Sequence, residues 1–377
     1  MILIYFMFKI ILLFFFSLIY CLFLNLIFLF NRFILKKKNV IFFFARNKLI
    51  NNSYFYIEDL FKNFNKDISI YYIVDCFFFR KKYFIILQNF FSYIYFADGF
   101  ISNYLSEKII SSNLRIYIHH DIYDTPLVRK TYEKYLVKVL FNYNYIFIPS
   151  KSSKTIFLNL INNNKKKSHF TFKIIRYPKI EFFNKKKINY SSTKKIIIIA
   201  PTNIHSFKIS LINKLDDLTN YLLKFTDYKI AFRPHPSNIE DLKINSYVNK
   251  FIHNKRFIYD ISENYQKIYS ESKFMITDLS GTAYTYALIF KKPVIFFIPD
   301  NFSSILRKDF DLNSDYFLDM KYIGIKVNNF ASINKFLKKN FNQGMFQKKI
   351  NYIKHRSGSP FNSKKSVVNE IHELLNY

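Results

Sequence analysis

The sequence predicts an α/β fold with two doubly wound parallel sheets. Short apolar runs alternate with longer mixed segments that are long enough to be crossover helices, a pattern typical of parallel sheets. Some runs, such as the four isoleucines at 196–199, are apolar on both faces, as in strands covered by helices on both sides. The predicted strands are Val40–Ala45, Ile68–Asp75, Gly99–Ser102, Arg115–His120, Tyr145–Ser150, Phe172–Tyr177, Lys195–Pro201, Tyr228–Pro236, Arg256–Tyr259, Phe274–Asp278, Pro293–Pro299 and Tyr322–Val327.

A polar stretch interrupts this alternation and predicts the domain organisation. Residues 184–194 carry lysines, serines and asparagines with no apolar period, and are interpreted as a linker. An N-terminal domain at 39–183 and a C-terminal domain at 195–345 lie on either side of it. Residues 1–38 are predicted to form a membrane anchor helix with a basic flank, and 346–377 a C-terminal helical segment. In such folds, ligands bind in the cleft at the carboxyl ends of the strands.

The N-terminus predicts membrane attachment. Ile10–Phe30 contains no charged residue, and its 21 residues would span about 30 Å as a helix, which is the thickness of a bilayer core. Arg32 and Lys36–Lys38 follow it, so the positive-inside bias places the remaining chain in the cytoplasm, at the inner or plasma membrane. A helix lying on the membrane and an uncleaved signal are the alternatives.

Composition excludes several classes of function. The 377 residues include 57 Lys+Arg and 26 Asp+Glu, giving a net charge of +31. The lysines form short scattered runs without a helix-turn-helix, zinc-finger or RNP pattern, so we expect an anionic membrane surface rather than nucleic acid as the partner. Cys21 and Cys76 are the only cysteines, which excludes a disulfide scaffold and a cysteine-based zinc site.

One candidate site follows the predicted strand at Tyr228–Phe232. Arg233-Pro234-His235-Pro236 places a histidine between two prolines that fix the backbone just past the strand. Such a histidine can present one ring nitrogen to a phosphate or a leaving group, and Arg233 adds a guanidinium fork that matches phosphate oxygens. A proline-rich turn in which His235 only caps the strand is the alternative.

A second candidate lies at a strand-to-helix junction. A short polar segment follows an apolar strand here and precedes a helix with apolar residues at helical spacing. Its residues are Thr277-Asp278-Leu279-Ser280-Gly281-Thr282. Free backbone N–H groups and hydroxyls at a helix N-terminus favour an anion. Ordinary N-capping by Ser280 or Thr282 is the alternative. The segment lacks the lysine and the spacing of a P-loop.

The third candidate follows the predicted strand that begins at Arg115. His119 and His120 point to opposite faces of such a strand, so at most one faces the cleft. A histidine there can act as a general base, oriented by Asp121 or Asp124. A metal site made of His119, His120 and Asp121 is the alternative, although adjacent residues are poorly spaced as ligands.

The motifs occur in a characteristic order over residues 115–300. They are His120 with Thr125-Pro126-Leu127, Pro149-Ser150, Arg176-Tyr177-Pro178-Lys179, Ala200-Pro201-Thr202, Arg233-Pro234-His235-Pro236, Thr277–Thr282, Lys292-Pro293-Val294-Ile295-Phe296 and Pro299-Asp300. This series resembles the CDP-glycerol glycerophosphotransferase family, which includes teichoic-acid polymerases and primases and their capsule relatives.

The chain departs from the family pattern at a few positions. Asp121 stands where the family has glycine, and four residues rather than one separate His120 from Thr125. Leu279 replaces a tyrosine, and Gly281-Thr282 replaces the second serine of the last motif. The second half therefore keeps the pattern better than the first, which places the acceptor and the transferred group in question more than the chemistry.

The resemblance implies a GT-B fold and a cytidine-activated donor. His235 with Arg233 would bind the donor pyrophosphate and stabilise departing CMP, and His120 would take the proton from the hydroxyl of a polymer or lipid-linked acceptor. No cofactor or divalent metal is required, because protein cations and a helix dipole can neutralise the charge. The predicted substrate-binding residues are Arg233, Thr277, Asp278, Ser280, Gly281, Thr282, Thr202, Asp121 and Asp124.

Two other functions fit part of the pattern. A GT-B glycosyltransferase that uses a CMP-sugar, sialic acid or Kdo, in capsule or lipooligosaccharide synthesis shares the donor motifs. A catalytically silent, membrane-anchored assembly protein would be consistent with the altered first motif. The presence of His235 and of the Ser280–Thr282 cluster favours an enzyme.

Overall fold

The structure, a computed structural model, contains two parallel β-sheets. It describes residues 2–44, 67–74, 83–119, 121–123, 125–177, 179, 194–204, 211–262, 265–299, 302–338, 342–356 and 366–376. The predicted linker at 184–194 lies outside the described residues except for Lys194, so the domain boundaries stay a prediction.

The first sheet has seven parallel strands. Their order is β3-β2-β1-β4-β5-β6-β7. The strands are β1 (Lys38–Phe44), β2 (Ile68–Val74), β3 (Tyr83–Ile85), β4 (Gly99–Ser102), β5 (Leu114–Ile118), β6 (Tyr145–Ile148) and β7 (Thr171–Ile174). Central strands such as β4 are buried along their whole length, as expected where helices cover both faces of a parallel sheet.

The second sheet has six parallel strands in the order β10-β9-β8-β11-β12-β13. They are β8 (Ile196–Ile199), β9 (Lys229–Phe232), β10 (Phe257–Tyr259), β11 (Phe274–Thr277), β12 (Val294–Phe297) and β13 (Gly324–Val327). The predicted α/β class with two doubly wound parallel sheets is confirmed. Every predicted run contains a strand, whereas β3 was not predicted.

Helices cover the sheets and connect the strands. They are α1 (Ile2–Phe30), α2 (Glu133–Leu140), α3 (Lys151–Asn163), α4 (Leu215–Phe225), α5 (Leu242–Phe251), α6 (Gln266–Glu271), α7 (Thr282–Phe290), α8 (Ser303–Asp309), α9 (Asp315–Ile323), α10 (Phe330–Lys338), α11 (Gln343–Arg356) and α12 (Val367–Asn376). The cause of helix formation is clear in α4, where Leu215, Leu218 and Leu222 form one buried apolar stripe. Two aspartates in its first turn interact favourably with the positive end of the helix dipole.

Helix α1 packs along one side of the first sheet. Ser17, Cys21, Leu24 and Phe28 recur at three- and four-residue spacing and are buried. The opposite side exposes a continuous set of large apolar residues, which includes Phe14, Phe15, Leu18, Leu22 and Leu26. Residues 10–35 are apolar enough and long enough to cross a membrane, and 17% of the most apolar window is buried.

The chain returns to the first sheet at its end. Helix α12 places Glu370 2.6 Å from Lys173 of β7, and Leu375 packs beside Gly99 of β4. Because α11 packs on α9 in the second half, the last two helices attach to different halves. The two sheets are therefore connected both through their loops and through the C-terminal helices.

Candidate active site

Three neighbouring strands of the second sheet end at the same edge. Ile199 of β8 pairs with Phe232 of β9 on one side and with Ile276 of β11 on the other. Because the strands are parallel, the segments that follow them emerge side by side. These segments carry the candidate residues Thr202, Arg233 to His235, and Asp278 to Thr282, so the structure brings the second-half candidates together.

Asp278 organises two of these segments. It is 1% exposed, and its carboxylate accepts N–H hydrogen bonds of 2.8 Å from Thr202, Leu211 and Leu279. Burial raises the pKa of this carboxyl, although the three N–H groups oppose that shift. Thr277 adds a hydrogen bond of 2.6 Å from its hydroxyl to the Ala200 carbonyl. In these contacts Thr202, Thr277 and Asp278 hold the loops, and their contact with substrate stays a prediction.

The contacts of the His235 ring favour one tautomer. Its Nδ1 accepts a hydrogen bond from the backbone N–H of Ser237 at 3.2 Å and lies 2.6 Å from the Ser237 hydroxyl. A neutral imidazole whose Nδ1 accepts an N–H carries its proton on Nε2. Pro234 and Pro236 restrict the backbone on both sides. The residue is therefore prepared to donate from Nε2 to an oxyanion.

Arg233 is held beside His235 by a buried ion pair. Its guanidinium lies 2.8 Å from Asp260 and donates to the Ser262 carbonyl at 3.0 Å. The two charged side chains are 12% and 10% exposed. The Tyr265 ring lies 5.7 Å from the guanidinium carbon, within the range of a cation–π contact. A phosphate would therefore share Arg233 with these protein acceptors.

The start of α7 touches the first half of the molecule. A Cβ placed on Gly281 would lie 2.5 Å from the Tyr123 carbonyl oxygen, so only glycine allows this approach. Ser280 is 9% exposed. The Thr282 hydroxyl lies 2.8 Å from the Tyr269 hydroxyl. The predicted anion site at this helix N-terminus is thus bordered directly by the loop after β5.

Asp121 connects three parts of the chain. Its Oδ1 accepts hydrogen bonds from Thr285 of α7 at 2.7 Å and from Tyr177 at 3.0 Å, and Lys179 lies 4.0 Å away. Asp121 is only 9% exposed. A carboxylate with these partners supports the loop structurally. The predicted contact of Asp121 with substrate is not tested by this geometry.

His119 directly follows β5 and is buried. His119 is 2% exposed, and its ring packs edge-on against Phe157 at 5.3 Å and Tyr117 at 6.1 Å. It therefore belongs to the core. The predicted base His120 and the predicted orienting residue Asp124 both lie outside the described residues, and their roles stay predictions.

A buried polar contact between the halves was missed by sequence reasoning. The Tyr123 hydroxyl donates to Asp319 of α9 at 2.7 Å, and Arg356 of α11 forms an ion pair with the same carboxylate. Asp319 is fully buried, and burial raises its pKa to about 6 despite these partners. A single aspartate within an amphipathic helix gives no sequence signal for a partner so distant in the chain.

Comparison with solved structures agrees with this architecture. The wall teichoic acid polymerase TagF aligns with a TM-score of 0.60 and 20% identity, over 90% of this chain and 88% of that one. MnaA of S. aureus in complex with UDP aligns with a TM-score of 0.55 and 13% sequence identity, over 90% of this chain and 97% of that one. The UDP-GlcNAc 2-epimerase of Neisseria meningitidis aligns with a TM-score of 0.52 and 12% sequence identity, over 90% of this chain and 100% of that one. The fold is therefore GT-B-like.

The sequence identifies the family within this fold. The profile of the CDP-glycerol:poly(glycerophosphate) glycerophosphotransferase family matches residues 25–313, and the chain belongs to that family. A teichoic acid poly(glycerol phosphate) polymerase of Bacillus subtilis (strain 168) is 27% identical over 189 residues. This match covers 45% of the present chain and 24% of the relative, so the chain aligns with about a quarter of that longer protein.

Proposed function

We propose that this chain transfers glycerol phosphate, or another polyol phosphate, from a CDP-linked donor to a hydroxyl of a cell-surface polymer or lipid-linked acceptor. Family membership supports the chemistry. The observation that carries the proposal is the position of His235, whose Nδ1 accepts the Ser237 N–H, at the edge where β8, β9 and β11 end. A hydrogen-bond donor in this place suits a phosphate oxygen that gains charge.

The proposed reaction is a single displacement at phosphorus. The acceptor hydroxyl oxygen attacks the phosphorus that carries the glycerol, the bond from that phosphorus to the bridging oxygen breaks, and CMP leaves. His120 takes the hydroxyl proton, while His235 Nε2–H and Arg233 stabilise the oxygens of the departing phosphate. Ser280, Gly281 and Thr282 would hold donor phosphate oxygens at the start of α7. Positioning and charge neutralisation supply most of the acceleration in reactions of this type.

A donor panel tests this proposal. The full-length protein in neutral detergent should release CMP and incorporate label from CDP-glycerol or CDP-ribitol into a glycerol phosphate oligomer. CMP-sialic acid and CMP-Kdo should give no transfer. Transfer of sugar from either CMP-sugar would replace the proposal with the glycosyltransferase alternative. Cytidine-independent binding with no transfer would favour an assembly protein.

We propose further that α1 attaches the protein to a membrane by lying along it. Ser17 accepts the Leu87 N–H at 2.9 Å, and Asn25 bonds the backbone of Tyr93 and Tyr95 at 2.8 and 2.7 Å. These contacts join the middle of the charge-free segment to the globular part. A spanning helix would have to draw that part into the bilayer or lose the contacts.

The outer face of this helix fits the same arrangement. Its exposed apolar side chains continue into the neighbouring loop, where Tyr93, Tyr95 and Phe96 are 52%, 55% and 41% exposed. Tyrosines are enriched at membrane–water interfaces, and exposed basic residues at 32 and 36 follow the helix. The expected result is an in-plane helix with one face on the protein and the other in lipid.

Protease protection distinguishes the two arrangements. An epitope placed before Met1 should be digested in inverted membrane vesicles, as should a control epitope placed after Tyr377. Protection of the first epitope alone would establish a spanning helix. Recovery of both epitopes in the soluble fraction would exclude membrane attachment by α1.

A further inference from the structure

An open groove of about 670 Å³ follows the outer edge of the second sheet. It lies against β13, the edge strand, and is bordered by α8 and α9. Ile298 lies just past the carboxyl end of β12, whereas Gly324 begins β13 beside Val294. The groove therefore extends from the end of the sheet that carries the candidate active site toward the opposite end, and it suits an elongated ligand.

The floor of the groove is apolar. Ile298, Leu306 and Met320 are 4%, 4% and 7% exposed, and Leu312 and Phe317 are half-buried beside them. Such a surface gains free energy from contact with hydrocarbon, at about 25 cal/mol for each Å² removed from water. A ligand that is polar along its whole length would make little use of it.

The rim of the groove is cationic. Arg307, Lys321, Lys326 and Lys349 are exposed around it, and no carboxylate is among the lining residues. Within the described parts of the chain none of the four forms an ion pair. Some lysines elsewhere in this half have acidic partners, such as Lys195 with Asp227 and Lys250 with Asp216.

We propose that this groove binds one molecule of an anionic glycerophospholipid. The phosphate lies among the rim cations and an acyl chain lies along the floor. The volume falls within the range of sites that enclose a small amphiphile. A glycerol phosphate polymer would satisfy the cations but not the floor, and a neutral lipid would satisfy the floor but not the cations. This binding is independent of the transfer reaction and would hold the second half at the membrane to which α1 attaches the first.

Calorimetry with soluble short-chain lipids tests the site. The full-length protein in neutral detergent should bind dihexanoyl phosphatidylglycerol at least tenfold more tightly than dihexanoyl phosphatidylcholine. Glycerol 1-phosphate, which has the phosphate but no chain, should bind at least tenfold more weakly than the phosphatidylglycerol. Equal binding of the two lipids, or of the lipid and glycerol 1-phosphate, would overturn the proposal.

Matched variants locate the binding. Replacing Arg307, Lys321 and Lys326 together by glutamine should weaken phosphatidylglycerol binding at least tenfold, since each basic residue near an anionic lipid contributes about 1 kcal/mol. The control replaces Lys243, Lys335 and Lys338, which are exposed elsewhere in the same half, and should change binding less than twofold. Equal losses in the two triple variants would place the lipid elsewhere, for example on α1.

Two single variants distinguish binding of the lipid phosphate from binding of its acyl chain. Lys321→Gln, at an exposed position, should weaken lipid binding about fivefold even if the triple variant fails to fold. Leu312→Asn should weaken binding of the lipid but not of glycerol 1-phosphate. If Lys321→Gln leaves lipid affinity unchanged while the variant melts like the wild type, the proposed site is wrong.

Discussion

The loops of the second half and the loop after β5 are held in different ways. In the second half the segments after β8 and β11 bond to one another, with Asp278 accepting N–H groups from both. The loop after β5 depends on the other half of the molecule. Asp121 bonds to Thr285, and the Thr125 hydroxyl donates to the Leu279 carbonyl at 2.5 Å. The second-half loops are thus held within their own half, whereas the loop after β5 is held by contacts with both halves.

Two positions at which the sequence departs from the family pattern lie at this contact between the halves. Asp121 stands in place of a glycine and Gly281 in place of a serine, and these positions meet in the structure. A Cβ on Gly281 would lie 3.4 Å from Asp121 Oδ2, in addition to its approach to the Tyr123 carbonyl. A larger residue on one side is matched by a smaller one on the other.

The largest expected effect is on the donor side. His235→Ala should lower kcat about 1,000-fold, because it removes a hydrogen-bond donor to an oxygen that gains negative charge in the transition state. The melting temperature should stay within about 2 °C, since the half-buried side chain bonds to Ser237 of its own turn. The control is His253→Ala, at an exposed position of the same half. Equal activity of the two variants would mean that His235 only caps the end of β9 and takes no part in the reaction.

Gly281→Ala should have the next largest effect. The added Cβ forces the first-half loop away from α7, because a carbonyl oxygen at 2.5 Å cannot be accommodated. We expect a loss of about 1–3 kcal/mol in stability and at least a tenfold loss of transfer. Gly344→Ala is the matched control, because its nearest neighbour would lie at 3.4 Å. If both substitutions melt alike, the halves do not meet at Gly281 in solution.

Asp121→Gly should separate positioning from substrate binding. It removes the acceptor for Thr285 and Tyr177 while leaving the second-half loops unchanged. We expect kcat to fall about tenfold, equivalent to about 1.4 kcal/mol, with the Kd for CDP-glycerol changed less than twofold. Asp121→Asn retains an acceptor oxygen and should recover most of the rate. A large change in Kd would instead support the predicted contact of Asp121 with the donor.

Sequence alone predicted the strands well because their signal is local. An apolar run such as 196–199 indicates a buried parallel strand without reference to the rest of the chain. Strand β3, with only three residues beside a basic segment, gave no such signal. Alternation along a strand predicts that His119 and His120 face opposite ways; His119 lies in the core, and the side that His120 faces stays a prediction. The pairing of Tyr123 with Asp319 depends on the packing of two halves, which no local pattern encodes.

Asp319 gives the smallest expected effect and tests how the first-half loop is held. Burial raises its pKa from 3.8 to about 6, so the folded protein binds this proton more tightly than the unfolded chain does. Its contribution to stability is therefore fully present below about pH 4 and is lost as the pH rises through 6. Between pH 7 and pH 5 the wild type should gain about 1 kcal/mol relative to Asp319→Asn, which cannot titrate.

Urea unfolding at the two pH values, in the same neutral detergent, measures this gain. Glu107→Gln, which neutralises an exposed carboxylate in the first half, controls for the change in net charge and should show no such pH-dependent difference from the wild type. The sign is informative, because a carboxylate that stabilised the interface mainly through its charge would lose stability as the pH fell. A gain on acidification means that the Tyr123 hydroxyl and Arg356 only partly offset the cost of burying the charged form of Asp319.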